Sequence, residues 1–255
     1  MISFLARSLN LILKPLKLEL GRKSAATDRW PYDLSDLQKK ILSKVEPFTM
    51  TSPERVAVLI DAVRHIETNG VEGDIVECGV WRGGSSMAIA ETLMAGGSTG
   101  RHLWLYDTFE GMSAPTTEDT SHDGESAADQ LARTERNGDR TIWCVSPLDD
   151  VRDNMAATSY PAGKVTLVKG KVEDTIPHSI PEKIALLRLD TDWYESTKHE
   201  LEQLYPRLAR GGILIIDDYG FWQGARKAVD EYFAAHPPAP LLCRIDPSAR
   251  IGVKP

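Results

Sequence analysis

The chain has 255 residues, a formal net charge of -7 and 42% hydrophobic residues. That length suits one large domain or one domain with an appendage, and the acidic balance argues against a nucleic-acid binder held by phosphate contacts. The scattered cysteines Cys78, Cys144 and Cys243 exclude a disulfide scaffold and a cysteine-rich zinc site, and they fit a reducing cytoplasm.

The first 23 residues alternate leucines and isoleucines with Arg7, Lys14, Lys17, Arg22 and Lys23. Lys14 and Pro15 interrupt the apolar stretch, and no small-residue cleavage site follows, so a signal peptide is not expected. No run is long enough to span a bilayer. The segment is expected to be a helical arm that packs on the domain or on a second copy, giving a homo-oligomer. The sharper alternative is a basic amphipathic segment touching an anionic membrane. Residues 24–50 are polar and mixed, with a turn at Trp30-Pro31-Tyr32-Asp33, so residues 1–50 read as an extension before a domain over 51–255.

Ser52, Pro53 and Glu54 are an N-cap, a first-turn proline and a dipole-favoured acid, and they start a helix. It carries Val56, Leu59, Ile60, Val63 and Ile66 on one face and stops near Asn69-Gly70. Strands are predicted at Asp74–Cys78, His102–Asp107, Val165–Lys169, Ile184–Asp190 and Gly212–Asp218, with Cys78 and Cys243 expected buried in strands. Helices alternate with them at Ser85–Met94, Pro147–Ala157, Ser196–Leu208 and Ala225–His236, and Pro206 is expected to kink the third or end it early. Leu241–Ile245 and Arg250–Val253 face each other across Asp246-Pro247-Ser248-Ala249, which suits an antiparallel hairpin. The outcome is an α/β fold: a mostly parallel seven-stranded sheet, helices on both faces and a C-terminal antiparallel hairpin. This outline resembles the Rossmann-like class I S-adenosylmethionine-dependent methyltransferases, by analogy alone. Residues 109–140 interrupt the alternation and are expected to form a lid over the site; a solvated loop with a short helix near Ala127–Arg133 is the plain alternative.

In open α/β sheets, ligands bind beyond the carboxyl ends of the strands. After the first strand comes Glu77-Cys78-Gly79-Val80-Trp81-Arg82-Gly83-Gly84-Ser85-Ser86. Its glycines permit close backbone approach, and the helix that begins near Ser85 offers free N–H groups to an anionic ligand group. Trp81 stands where a dinucleotide fingerprint needs glycine, which lowers the odds of a nicotinamide enzyme. Glu77 can accept from a ligand amino group, or pair with Arg82. Asp107 can accept both hydroxyls of a ribose, or cap the next turn. Glu173, in Gly170-Lys171-Val172-Glu173-Asp174, can read an adenine edge, with a helix cap by Asp174 as the alternative.

Asp190 and Asp192 follow one apolar run, and Asp217 and Asp218 end another. Grouped aspartates cannot all stay ionised and dry without a cation. Oxygen donors without His or Cys point to magnesium, or to calcium or manganese. Asp190, Asp217 and Asp218 are the candidate ligands; Asp217 and Asp218 can share an ion only if the strand ends between them. Asp192 is the candidate base for an acceptor hydroxyl, with His199 as the alternative. Trp193, Tyr194, Tyr219, Phe221 and Trp222 could flank an aromatic ring or a sugar face.

Together Ile75–Gly84, Tyr106-Asp107-Thr108-Phe109-Glu110-Gly111-Met112, Leu189-Asp190-Thr191-Asp192-Trp193-Tyr194 and Ile216-Asp217-Asp218-Tyr219 resemble the TylF/MycF/NovP family of sugar O-methyltransferases. The likeness covers roughly residues 45–255. It implies magnesium-dependent transfer of the S-adenosylmethionine methyl group to a deoxysugar hydroxyl on a glycoside or glycan. By position it implies Asp190, Asp217 and Asp218 at the metal, Asp192 as base, and Glu77, Gly79, Ser85 and Asp107 at the methyl donor. Thr49–Arg55 resembles the family segment in which a Met-Thr pair, here Met50-Thr51, borders the donor, which adds Thr51. The competing expectations are a catechol or phenol O-methyltransferase and a non-catalytic nucleotide- or glycan-binding protein.

Overall fold

Buried apolar runs with little polar interruption make the central strands, because each is covered on both faces. In the computed structural model, which describes residues 30–138 and 140–255, β1 (Asp74–Cys78), β2 (Leu103–Asp107), β3 (Val165–Lys169), β4 (Ile184–Leu189) and β5 (Leu208–Ile216) lie parallel. With β6 (Cys243–Arg244) and β7 (Arg250–Val253) they form one seven-stranded sheet in the order β3-β2-β1-β4-β5-β7-β6. β7 runs antiparallel to β5, and β6 runs antiparallel to β7. The strand order reverses between β1 and β4, so the ligand crevice belongs beyond their carboxyl ends.

The helices are α1 (Asp36–Val45), α2 (Pro53–Thr68), α3 (Gly84–Ala95), α4 (Ala127–Arg133), α5 (Leu148–Ala156), α6 (Val172–Thr175), α7 (Tyr194–Leu204) and α8 (Gln223–Ala235). Val76, Cys78, Leu187, Leu189, Leu214 and Ile216 pack against Leu201 and Leu204 of α7 and Val229, Tyr232 and Phe233 of α8. Alternation then turns Glu77 and Arg188 to the opposite face, where α2 packs on α3.

Some boundaries differ from the sequence reading. α1 lies in the segment read as an extension; Ser35 and Gln38 form a capping box that starts it, and Ile41, Leu42 and Val45 are buried. β5 starts at Leu208 and ends at Ile216, so Asp217 and Asp218 both lie past its end. α7 stops at Leu204, and Pro206 sits in a 3-10 turn over Tyr205–Arg207. β6 has only two residues and is an edge strand, which leaves Cys243 exposed rather than buried, whereas Cys78 is buried. Residues Ser35–Pro255 form one unit; in the other, Met1–Leu34, a turn joins Leu34 N to Pro31 O at 3.3 Å. The arm, oligomer and membrane expectations for residues 1–23 fall outside the described residues. Among the described residues no helix is long and apolar enough to cross a membrane.

Candidate active site

The ends of β1, β2, β4 and β5 open into one cavity. It is lined by Thr51, Gly79, Ser85, Asp107, Glu173, Asp190, Asp192, Asp217 and Asp218, among others. Of the ten residues assigned to donor, metal or base, Glu77 alone is missing from this wall.

Gly79 shows why the wall can close. Its φ is +83°, and a Cβ there would sit 1.9 Å from the Asp190 carbonyl oxygen. Only glycine lets the β1 turn pass under the Asp190 backbone. Gly83 follows in the left-handed region at φ +86° and precedes α3 without a side-chain cap. The first-turn N–H groups of α3, near Ser85, are therefore available to an anionic group.

Asp107 ends β2 and is half-buried against the same turn. One carboxylate oxygen accepts from Val80 N at 2.7 Å and Trp81 N at 3.0 Å. The other accepts from Phe109 N at 2.7 Å, so the carboxylate caps the following turn as well as facing the cavity. Burial raises its pKa in spite of these donors. Glu173 reaches the cavity from α6, and that helix has no side-chain cap, so Asp174 does not cap it.

Glu77 turns inward instead. Its carboxylate accepts from Arg188 Nη1 at 2.6 Å and from the Ser86 hydroxyl, and only 1% of the residue is exposed. Its partner is Arg188 rather than Arg82, and it is not among the residues that line the cavity. The reason is the alternation of β1, which aims Glu77 beneath the sheet end toward α3.

Arg188 is the hub that sequence reasoning missed. Its Nη2 lies 2.7 Å from Asp190 and 2.8 Å from Asp217, while Nη1 holds Glu77. Arg55, from the first turns of α2, grips the other oxygen of Asp217 and donates through Nε to Asp246 at 2.6 Å. An arginine inside an apolar strand was the available signal, since a buried guanidinium needs acids around it.

Asp190, Asp217 and Asp218 each offer an oxygen, and these oxygens lie within 4.8 Å of one another. Opposite ligands of magnesium are about 4.2 Å apart and those of calcium up to about 5 Å, so a slight inward shift seats either ion. Burial, followed by the Asp217 and Asp218 charges beyond what Arg188 offsets, raises Asp190 well above the carboxylate range. Burial and then Asp192 do the same to Asp218. Burial and then Asp190 push Asp192 up to about 7. The guanidiniums of Arg55 and Arg188 thus leave this acid group under-compensated. Hard oxygen donors short of positive charge are what a divalent cation requires, and the residues fit one.

Asp192 sits at φ +67°, in the left-handed region, and its Oδ1 accepts from Trp222 Nε1 at 2.8 Å. His199 donates to or accepts at no cavity group; its Nε2 contacts the Ile176 carbonyl at 2.9 Å. The aromatic quintet does not flank the cavity either. Trp193 and Trp222 pack edge to face at 4.9 Å in the interior. Tyr194 and Tyr219 give their hydroxyls to Glu231 and Asp230. Phe221 is 39% exposed on the surface.

The 109–140 segment packs over this region. Gly111, Met112 and Ser113 line the cavity, Ser113 O accepts from Trp193 Nε1 at 3.1 Å, and Asp119 accepts from Tyr194 N at 2.7 Å. Ala127 and Leu131 of α4 cluster with Trp193, Trp222 and Ala225.

A family model described as macrocin-O-methyltransferase (TylF) matches residues 31–251. The chain is 37% identical over 233 residues to the 8-demethyl-8-(2,3-dimethoxy-alpha-L-rhamnosyl)-tetracenomycin-C 4'-O-methyltransferase of Streptomyces olivaceus, covering 89% of this chain and 85% of that protein. It is 34% identical to the demethyldecarbamoylnovobiocin O-methyltransferase of Streptomyces niveus over 78% of this chain and 72% of that one. The solved structure of the O-methyltransferase NovP superposes with a TM-score of 0.71 at 31% identity, over 81% of this chain and 82% of that chain. The calicheamicin methyltransferase CalS11, at 17% identity and a TM-score of 0.56, shares the fold, with 88% of this chain and 95% of that chain covered. Since the family match runs through β1 to β7 and takes in the whole cavity wall, the chain belongs to the macrocin O-methyltransferase (TylF) family and is an S-adenosylmethionine-dependent O-methyltransferase.

Proposed function

We propose that this enzyme methylates a hydroxyl of a deoxysugar carried on a natural product or glycan, with a magnesium ion held by Asp190, Asp217 and Asp218. The observation that carries the reading is the convergence of these acids and Asp192 in the same cavity as Gly79, Ser85 and Asp107. The named relatives act on a rhamnosyl-tetracenomycin and on demethyldecarbamoylnovobiocin, which supports a glycoside acceptor.

Thr51, Gly79, Ser85, Asp107 and Glu173 would hold the methyl donor, with the α3 N-terminus facing its carboxylate. Glu77 contributes from behind the wall, by fixing Arg188. Magnesium bound among the three aspartates would supply Lewis acidity that makes a sugar hydroxyl easier to deprotonate. Asp192 takes the hydroxyl proton as the oxygen attacks. Trp222 Nε1 donates to Asp192 Oδ1 at 2.8 Å and so orients the carboxylate for that proton. The new O–C bond forms as the C–S bond breaks, and its electron pair leaves on the now neutral sulfur. Residues 109–140 would close over the site and exclude water, since Ser113 and Asp119 already hold Trp193 and Tyr194 beside the catalytic turn. Holding both reactants in one cavity supplies much of the rate.

The test is a panel of rhamnosides and aminocoumarin glycosides set against catechols, each with S-adenosylmethionine and magnesium, and scored for methylated product by mass spectrometry. Methylated glycosides are expected, and Asp192→Asn should lower turnover by about 10²- to 10⁴-fold with donor binding intact. Methylated catechols without any methylated glycoside would reject the acceptor class; wild-type turnover in Asp192→Asn would reject the base.

A further inference from the structure

Glu200 stands outside the chemistry above, yet it is one of the most enclosed acids in the chain. It lies on α7 and is 0% exposed. Its Oε1 accepts from the Thr191 hydroxyl at 3.0 Å, and the Cys78 thiol is in hydrogen-bond contact with it. Oε2 has no partner among the described residues. Its neighbours on α7, Leu201 and Leu204, are fully buried in the apolar cluster against the sheet. A leucine at this position would avoid the cost of burying a carboxyl. Burial, with the Glu173 charge adding to it, raises the Glu200 pKa well above the carboxylate range.

What this carboxyl holds is the middle of the catalytic turn. Thr191 lies between Asp190 and Asp192, and Asp192 is at φ +67°. A non-glycine residue persists there only when its surroundings hold it. The Thr191 carbonyl is held by Trp193 N at 2.8 Å and more loosely by Ser196 Oγ at 3.4 Å. Those contacts fix the backbone on the far side of the turn. Glu200 holds the Thr191 side chain in the middle of that turn.

We propose that Glu200 is a positioning residue that acts through the Thr191 hydroxyl to lock the Asp190–Asp192 turn, so that Asp190 faces the cation site and Asp192 faces the acceptor. This rests on the functional reading of the site given above. The carboxyl works here as a rigid hydrogen-bond acceptor for the Thr191 hydroxyl. A glutamine amide has the same shape and the same accepting oxygen, whereas leucine fills the space without accepting.

Mn²⁺ serves as the probe, with affinity read from its EPR signal on the full chain, and S-adenosylhomocysteine binding is measured by calorimetry. Glu200→Gln should bind Mn²⁺ within about twofold of wild type, and Glu200→Leu and Thr191→Val about tenfold more weakly, the lower end of the effect of orienting partners on metal sites. The double variant Glu200→Leu/Thr191→Val should be no weaker than either single, and the homocysteine product should bind all of them alike. Crystal structures should show Asp192 in the left-handed region in wild type and Glu200→Gln, and out of it in Glu200→Leu and Thr191→Val. Wild-type Mn²⁺ affinity together with a left-handed Asp192 in Thr191→Val overturns the proposal. Should Glu200→Leu fail to fold, Thr191→Val, which leaves the core carboxyl in place, carries the test. Should wild type bind no Mn²⁺, the metal reading fails, and the Asp192 conformation in the variants decides the brace by itself.

Discussion

Arg188 Nη2 lies 2.8 Å from Asp217 Oδ1, with 3% and 2% of the two side chains exposed. The guanidinium also holds Glu77 and Asp190, so one buried cation offsets three acids at the cavity. This hub sets the cost of disturbing the site. Arg188→Met removes the cation these acids share, leaving Arg55 on Asp217 and the Ser86 hydroxyl on Glu77, and should cost about 3–5 kcal/mol of stability in urea unfolding. Arg188→Lys cannot fork to three partners and should fall between wild type and Met.

The indole of Trp222 donates to Asp192 Oδ1 at 2.8 Å and also packs on Trp193. Trp222→Phe keeps a ring in the cluster and removes the donor. Turnover on a glycoside acceptor should fall by about 10- to 100-fold, the worth of one hydrogen bond to a charged group. Donor-product affinity should stay unchanged; unaltered turnover would show that Asp192 needs no such support.

Gly79→Ala meets both a left-handed backbone and the Asp190 carbonyl. Strain and overpacking together should cost about 2–6 kcal/mol. The loss should appear as a lowered melting temperature and as weakened donor-product binding. A variant that melts like wild type would mean that the β1 turn does not pass under Asp190 as described.

Asp246 gives a pH signature. Burial alone would raise its pKa, but Ala249 N, Arg55, the Ser52 hydroxyl and Ser248 N outweigh burial and hold it at about 2. A folded pKa below the unfolded value near 3.8 means that the stabilisation is fully present above that value and is lost as pH falls through about 2. Asp246→Asn should therefore be less stable than wild type at neutral pH, by about 1–3 kcal/mol. The gap should narrow between about pH 4 and pH 2 in unfolding curves. A gap that persists below pH 2 would show that the charge is not what Asp246 contributes.

Much of this architecture is legible along the chain because the buried parallel strands are short apolar runs, each ending at a turn residue or an acid. Gly79, Asp107, Asp190 and the Asp217-Asp218 pair all sit at such ends, and the fold brings them to one crevice. The helix at Asp36–Val45 was legible too, through the Ser35 to Gln38 capping box, but its polar composition hid it. Other features depend on contacts that no local pattern carries. Arg188 meets Glu77 across 111 residues, and Arg55 meets Asp246 across 191. Alternation along β1 decides that Glu77 faces away from the cavity, and the sequence on its own does not say which face of β1 carries the ligand. The aromatics beside the aspartates were read as flanking an acceptor. Those at Trp193 and Trp222 instead build the wall behind Asp192, because α4 packs against them.

The most direct measurement is anomalous diffraction from a crystal soaked with manganese and S-adenosylhomocysteine. The account predicts one anomalous peak per chain, in contact with Asp190, Asp217 and Asp218, with the homocysteine product lying along Gly79, Ser85 and Asp107. A fully soaked crystal with no peak among these aspartates would contradict it.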